Sequence, residues 1–201
     1  MVTHPGSFGI KTLQPSLYLS MKIIKTGIKG CFIIEPLVVH DNRGSFIKTF
    51  NINDFKENDL CTDWMEHYYS VSNKNVLRGL HFQLPPHDHE KIVYCNYGKI
   101  LDVVVDLRKG SSTYGHHITV TLDADKASMV YISRGLAHGF YTLSQKAITL
   151  YKVSSVHAPD YDTGIHWNSV GISWPTNKPI VSKRDDNLPE MKEFDTPFIY
   201  T

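Results

Sequence analysis

A chain of 201 residues with 41% hydrophobic and 20% charged side chains has the make-up of one globular domain with a real core. A formal net charge of +1 gives no basic field for nucleic acid, and no apolar run approaches the length that spans a bilayer. Cys31, Cys61 and Cys95 are odd in number and scattered, so they read as buried thiols of a reducing compartment.

Residues 1–20 carry Pro5, Gly6, Gly9 and Pro15 without a period. They lack a basic start followed by an apolar core, so they read as a flexible N-terminal extension rather than a signal peptide. The folded domain is expected to run from Met21 to Thr201, opening with a strand-like Met21–Lys25. Cys31–Glu35 and Leu37–His40 flank Pro36, a turn follows at Asp41–Gly44, and Ser45–Phe50 extends again. Asn53–Asp59 reads as one short helix capped by Asn53.

The stretch from Asn75 to Leu84 is a strand with Arg78 and His81 three residues apart. Strict alternation sends them to opposite faces, and Gly79 could permit a bulge that turns both toward one cavity. Histidine moves protons near neutral pH and arginine holds phosphates or enolates, so the pair marks a site. Lys91–Tyr97 and Lys99–Leu107 read as a hairpin about Tyr97-Gly98, with Leu101, Val103, Val105 and Leu107 on one face. Further strands fall at His116–Leu122, Ser128–Ile132, Gly139–Leu143 and Ala147–Ser155. No long helical period competes. The expected class is all-β, an antiparallel barrel or double-sheet jelly roll.

Taken singly, the polar residues have ordinary readings: a strand histidine packs, a strand tyrosine fills core or rim, and a lysine faces solvent. Together they form an ordered series. Val76-Leu-Arg-Gly-Leu-His-Phe-Gln83, Lys91-Ile-Val93, Gly98 to Arg108, Ser111 to Gly115, Gly135 to Phe140, Tyr151-Lys152, Gly164 to Asn168 and Ile172 to Pro175 resemble the dTDP-4-dehydrorhamnose 3,5-epimerase family. The resemblance runs from about Gly30 to about Pro189.

The resemblance implies a cupin-type jelly roll and a cytoplasmic homodimer. It also implies epimerisation of a nucleotide-linked 4-keto-6-deoxyhexose on the way to surface polysaccharide. It makes His81 the base and Asp185 the group that orients it. Lys91 lies near the developing oxyanion and Tyr151 is the acid on the opposite face. Arg78 and His138 border the sugar and diphosphate, and Arg43 contacts the nucleotide. No cofactor is implied, because the C4 ketone makes the C3 and C5 hydrogens acidic and is itself the electron sink.

The chain departs from the family pattern at several places. Lys48 stands where Phe-x-Glu-Ser/Thr-Phe has its glutamate. Glu66 and Tyr68 replace Gln and Asn of Gln-x-Asn-x-Ser. His157 lies where an aromatic pair precedes an Ala-Pro turn, and His89 replaces a glutamine shortly before Lys91. Lys48, Glu66 and His157 are therefore candidate substrate-binding residues of altered type. Thymine N3 carries a hydrogen and suits a carboxylate. Cytosine N3 is an acceptor and suits a donor such as Lys48, so a CDP-linked sugar rivals a dTDP-linked one. Three alternatives stand beside the double epimerase: a single epimerase acting at C3, a silent sugar-nucleotide binder, and a metal-dependent cupin using His87, His89 and Glu90.

Overall fold

The computed structural model describes residues 20–201, so the expected extension lies almost wholly outside the described residues. Strands follow wherever alternation or continuous apolar runs are written into the chain. They are β1 (Lys22–Lys25), β2 (Cys31–Glu35), β3 (Leu37–Asp41), β4 (Gly44–Lys48), β5 (Glu66–Asn73), β6 (Leu77–Gln83) and β7 (Lys91–Tyr97). Then come β8 (Lys99–Asp106), β9 (His117–Asp123), β10 (Met129–Ile132), β11 (Leu136–Thr142), β12 (Lys146–Val153) and β13 (Asp162–Gly164). Two short helices join them, α1 (Ile52–Glu57) and α2 (Lys183–Asp186).

Two antiparallel sheets face each other, as the expected jelly roll requires. One has the order β1-β2-β10-β7-β12-β5, the other β13-β6-β11-β8-β9, and β3 and β4 form a separate hairpin. Between the sheets lie Val93, Cys95, Val130 and Ile132 from one side and Ile100, Val104, Leu136 and Phe140 from the other. The outer faces are covered too. Phe55 and Leu60 pack over Ile92, Met129 and Tyr131. Ile165, Ile172 and Phe198 pack over Leu80, Val103, Val105 and Ala137. Double coverage explains why β8 is buried almost end to end.

Several expectations are corrected. The chain does not make a hairpin at Gly98: β7 pairs with β10 and β12, whereas β8 pairs with β11 and β9. The turn carries the chain from one sheet to the other, and an apolar pattern on both faces fits a crossover as well as a hairpin. The helix cap is Asn51, two residues before the expected Asn53, and its side chain accepts from the Asn53 N–H, so α1 begins at Ile52 and ends by Glu57. β5 is a strand that alternation does not announce. Its Glu-His-Tyr-Tyr-Ser sequence lies at a sheet edge, where neither face need be apolar. Cys31 and Cys95 are buried free thiols, but Cys61 is only partly covered.

Candidate active site

Gly79 sets the site. Its φ of +134° lies in glycine's territory, and a Cβ there would sit 2.5 Å from Gly139 Cα. The β6–β11 register slips between His138 and Phe140 at this bulge. Arg78 and His81 therefore both line one cavity of about 400 Å3 between the sheets, instead of parting to opposite faces. Lys91, His138, Tyr151, Glu66 and His157 line it as well.

His81 Nε2 lies 2.8 Å from Asp185 Oδ1. Asp185 reaches it from α2, where the Ser182 hydroxyl accepts from the Asp185 N–H and the Gly79 N–H donates to Oδ2 at 3.2 Å. Burial pushes the Asp185 carboxyl up, but His81, Gly79 and Ser182 outweigh it and hold the group below its ordinary value. An ionised Asp185 fixes the proton on His81 Nε2 and leaves Nδ1 free to act as a base.

Lys91 is 7% exposed, and its Nζ donates to the His81 carbonyl oxygen at 3.3 Å. Burial brings it down to about 8, with Asp162 and Asp102 pulling the other way, so it keeps its charge at neutral pH. Tyr151 comes from the facing sheet. Its hydroxyl lies 3.2 Å from Ser70 Oγ, and burial raises it well above the usual phenol range. The Tyr68 ring stacks on it at 4.8 Å and His138 meets it edge-on at 6.3 Å.

His138 stands directly across from His81 in the strand register, with its Nε2 2.8 Å from Asp102 Oδ2. Arg78 is steadied by Ser72 Oγ at 3.0 Å and by the Val71 carbonyl. The Glu66 carboxylate accepts from the His157 N–H at 2.8 Å, which ties the β5 edge to the loop beyond β12. Arg43 and Lys48 do not join this group. Both sit on the exposed β3–β4 hairpin, where Arg43 pairs with Asp41.

The sequence reading gave no role to Asp102, Gln83 or Ser70. Asp102 had a signal, a carboxylate set between Ile100-Leu101 and Val103-Val104-Val105, which must find a partner to be buried. Gln83 binds the His87 carbonyl and His89 Nδ1 and accepts from the Ala158 N–H, pinning the two loops at the cavity mouth. His87, His89 and Glu90 turn to separate partners: His87 to the Tyr161 ring, His89 to Gln83 and Ser155, Glu90 to Ser154 and Arg134.

The cavity thus offers an oriented imidazole from one sheet, a neutral phenol from the other and a buried ammonium beside them. This suits removal of a proton from one side of a ring and delivery from the other. The model of the family described as dTDP-4-dehydrorhamnose 3,5-epimerase matches residues 25–193. The chain belongs to this family. A family member from Methanothermobacter thermautotrophicus, named dTDP-4-dehydrorhamnose 3,5-epimerase, is 41% identical over 86% of this chain and 95% of its own. The crystal structure of dTDP-6-deoxy-D-glucose-3,5-epimerase from Legionella pneumophila, in complex with dTDP-4-keto-L-rhamnose, superposes with a TM-score of 0.85. It is 34% identical and covers 90% of this chain and 99% of that one. A 3'-monoepimerase from Streptomyces bikiniensis, in complex with dTDP-quinovose, gives 0.80 at 32% identity, covering 84% and 87%. The family therefore spans double and single epimerases on one scaffold.

Proposed function

We propose that the protein epimerises C3 and C5 of a nucleoside-diphosphate-linked 4-keto-6-deoxyhexose. The observation that carries this reading is His81 and Tyr151 facing one cavity from opposed sheets with Lys91 beside them. His81 removes the proton next to the ketone, Lys91 stabilises the enolate oxygen, and Tyr151 returns a proton to the other face. Asp185 orients the base, and Arg78 and His138 hold the diphosphate end. The ketone supplies the electron sink, so the chemistry calls for no cofactor.

The protein works as a homodimer in this reading. The β3–β4 hairpin exposes Val39, Phe46 and Ile47, a surface that pairing would cover. Arg43 and Lys48 would then serve a neighbouring subunit's cavity, since they do not line their own. Residues 21–201 act as one domain.

Incubation in deuterium oxide with dTDP- and CDP-linked 4-keto-6-deoxyglucose, read by NMR at C3 and C5, tests the function. Deuterium entering both carbons with inversion supports the double epimerase. Deuterium confined to C3 assigns the single epimerase, and no exchange with either substrate sinks the reading. Competition between the two substrates at equal concentration ranks the nucleotides. A strong preference for dTDP removes the cytosine role of Lys48.

A further inference from the structure

Tyr68 and Tyr151 are direct cross-strand partners in the β5–β12 register, and their rings lie 4.8 Å apart with 19° between planes. Two polar neighbours restrain Tyr151 differently. Ser70 reaches only the hydroxyl, and His138 meets the ring by an edge. Tyr68 stacks on a ring face. It lines the cavity, remains 44% exposed, and stands where the family pattern carries an asparagine, which has no ring to stack.

We propose that Tyr68 is a positioning residue that fixes the reach of the Tyr151 hydroxyl and so sets the ratio of C5 to C3 inversion. The inference rests on the epimerase reading above. C3 and C5 lie on either side of the ketone carbon, so one hydroxyl serving both must reach two separate points. A ring clamped on its face has a narrower arc than one held at its tip and edge. At each carbon one C–H bond breaks, its proton passing to His81, and one forms with the proton of Tyr151. Solvent then reprotonates Tyr151 and takes the proton from His81, and nothing is oxidised. Tyr68 acts through the acid on which it stacks, so the effect appears in how a bound molecule partitions, not in how tightly it binds.

The test compares the unaltered protein with Tyr68→Ala, Tyr68→Asn and Tyr68→Phe on dTDP-4-keto-6-deoxyglucose in deuterium oxide. NMR reads deuterium and configuration at C3 and C5. Tyr68→Ala and Tyr68→Asn should change the C5-to-C3 inversion ratio by about three- to tenfold, the range a lost aromatic pair corresponds to. Tyr68→Phe keeps the stack and restores the unaltered ratio. Tyr68 is partly exposed on an edge strand, so these variants are expected to fold, which circular dichroism checks. An unchanged ratio in Tyr68→Ala overturns the proposal. Equal loss at both carbons also overturns it, because it would make Tyr68 a binding or structural residue. No exchange at either carbon in the unaltered protein, with the dTDP-linked or the CDP-linked substrate, removes the epimerase reading and this inference with it.

Discussion

At the scale of single residues, the site is built from groups whose charge is set by burial and by the hydrogen bonds around them. His81→Ala should abolish exchange at C3 and C5, a loss of at least about a hundredfold for a missing general base. Tyr151→Phe should leave exchange largely intact while inversion falls. The same deuterium measurement separates the two, and persistent exchange in His81→Ala would remove His81 as the base. Lys91 gives a prediction of opposite signs. Above pH 8 it loses its proton and the enolate loses its cation, so turnover should fall as pH rises through about 8. Stability should move the other way. Between about 8 and the ordinary lysine value of 10.5, the unfolded chain still binds a proton that the folded chain has released, so stability rises with pH in that window. Turnover and denaturant midpoint measured on the same samples from pH 7 to 10.5 check both. His81, Lys91, Tyr151 and Asp185 were legible as an ordered set of motifs, and the structure brings them together. Asp102 was visible only as an odd carboxylate, because its meaning depends on His138, 36 positions later in the chain.

At the scale of elements, the bulge in β6 decides what the site contains. A side chain at residue 79 meets backbone rather than a flexible tip, so the strand must shift to admit it. Gly79→Ala should cost about 2 kcal/mol or more in denaturant unfolding and should lower exchange as well, since Arg78 and His81 flank the shifted backbone. Full exchange in a stable Gly79→Ala protein would show that the bulge does not position them. The sequence raised this bulge as a possibility and left it open, because alternation says which faces residues prefer but not where a strand breaks step. The same limit explains the Gly98 turn. Apolar residues on both faces of β8 announce a central strand but do not name its neighbours. β5 escaped notice because its side chains answer to a cavity and a sheet edge rather than to a core.

At the scale of the whole molecule, the β3–β4 hairpin and the β5 edge both carry exposed apolar side chains. Tyr69 and Val71 on β5 stand exposed along with the hairpin's apolar residues. Light scattering should give the mass of two chains, and a monomer at micromolar concentration would remove the homodimer. The C-terminal segment is part of the core: Phe198 is 5% exposed, and the Thr196 hydroxyl donates to the Leu107 carbonyl at 2.7 Å. Phe198→Ala should cost about 3–5 kcal/mol in denaturant unfolding and leave the C5-to-C3 ratio where it was, since Phe198 touches neither His81 nor Tyr151.

The placement of Asp185 also bears on how the protein is made. Translation delivers His81 early and Asp185 104 positions later, on a four-residue helix near the end of the chain. Every strand of both sheets has been synthesised before the group that orients the base exists. A chain cut short after β13 would lack both the carboxylate that meets His81 and the Ile165, Ile172 and Phe198 side chains that cover its strand, so the site and its support are completed together.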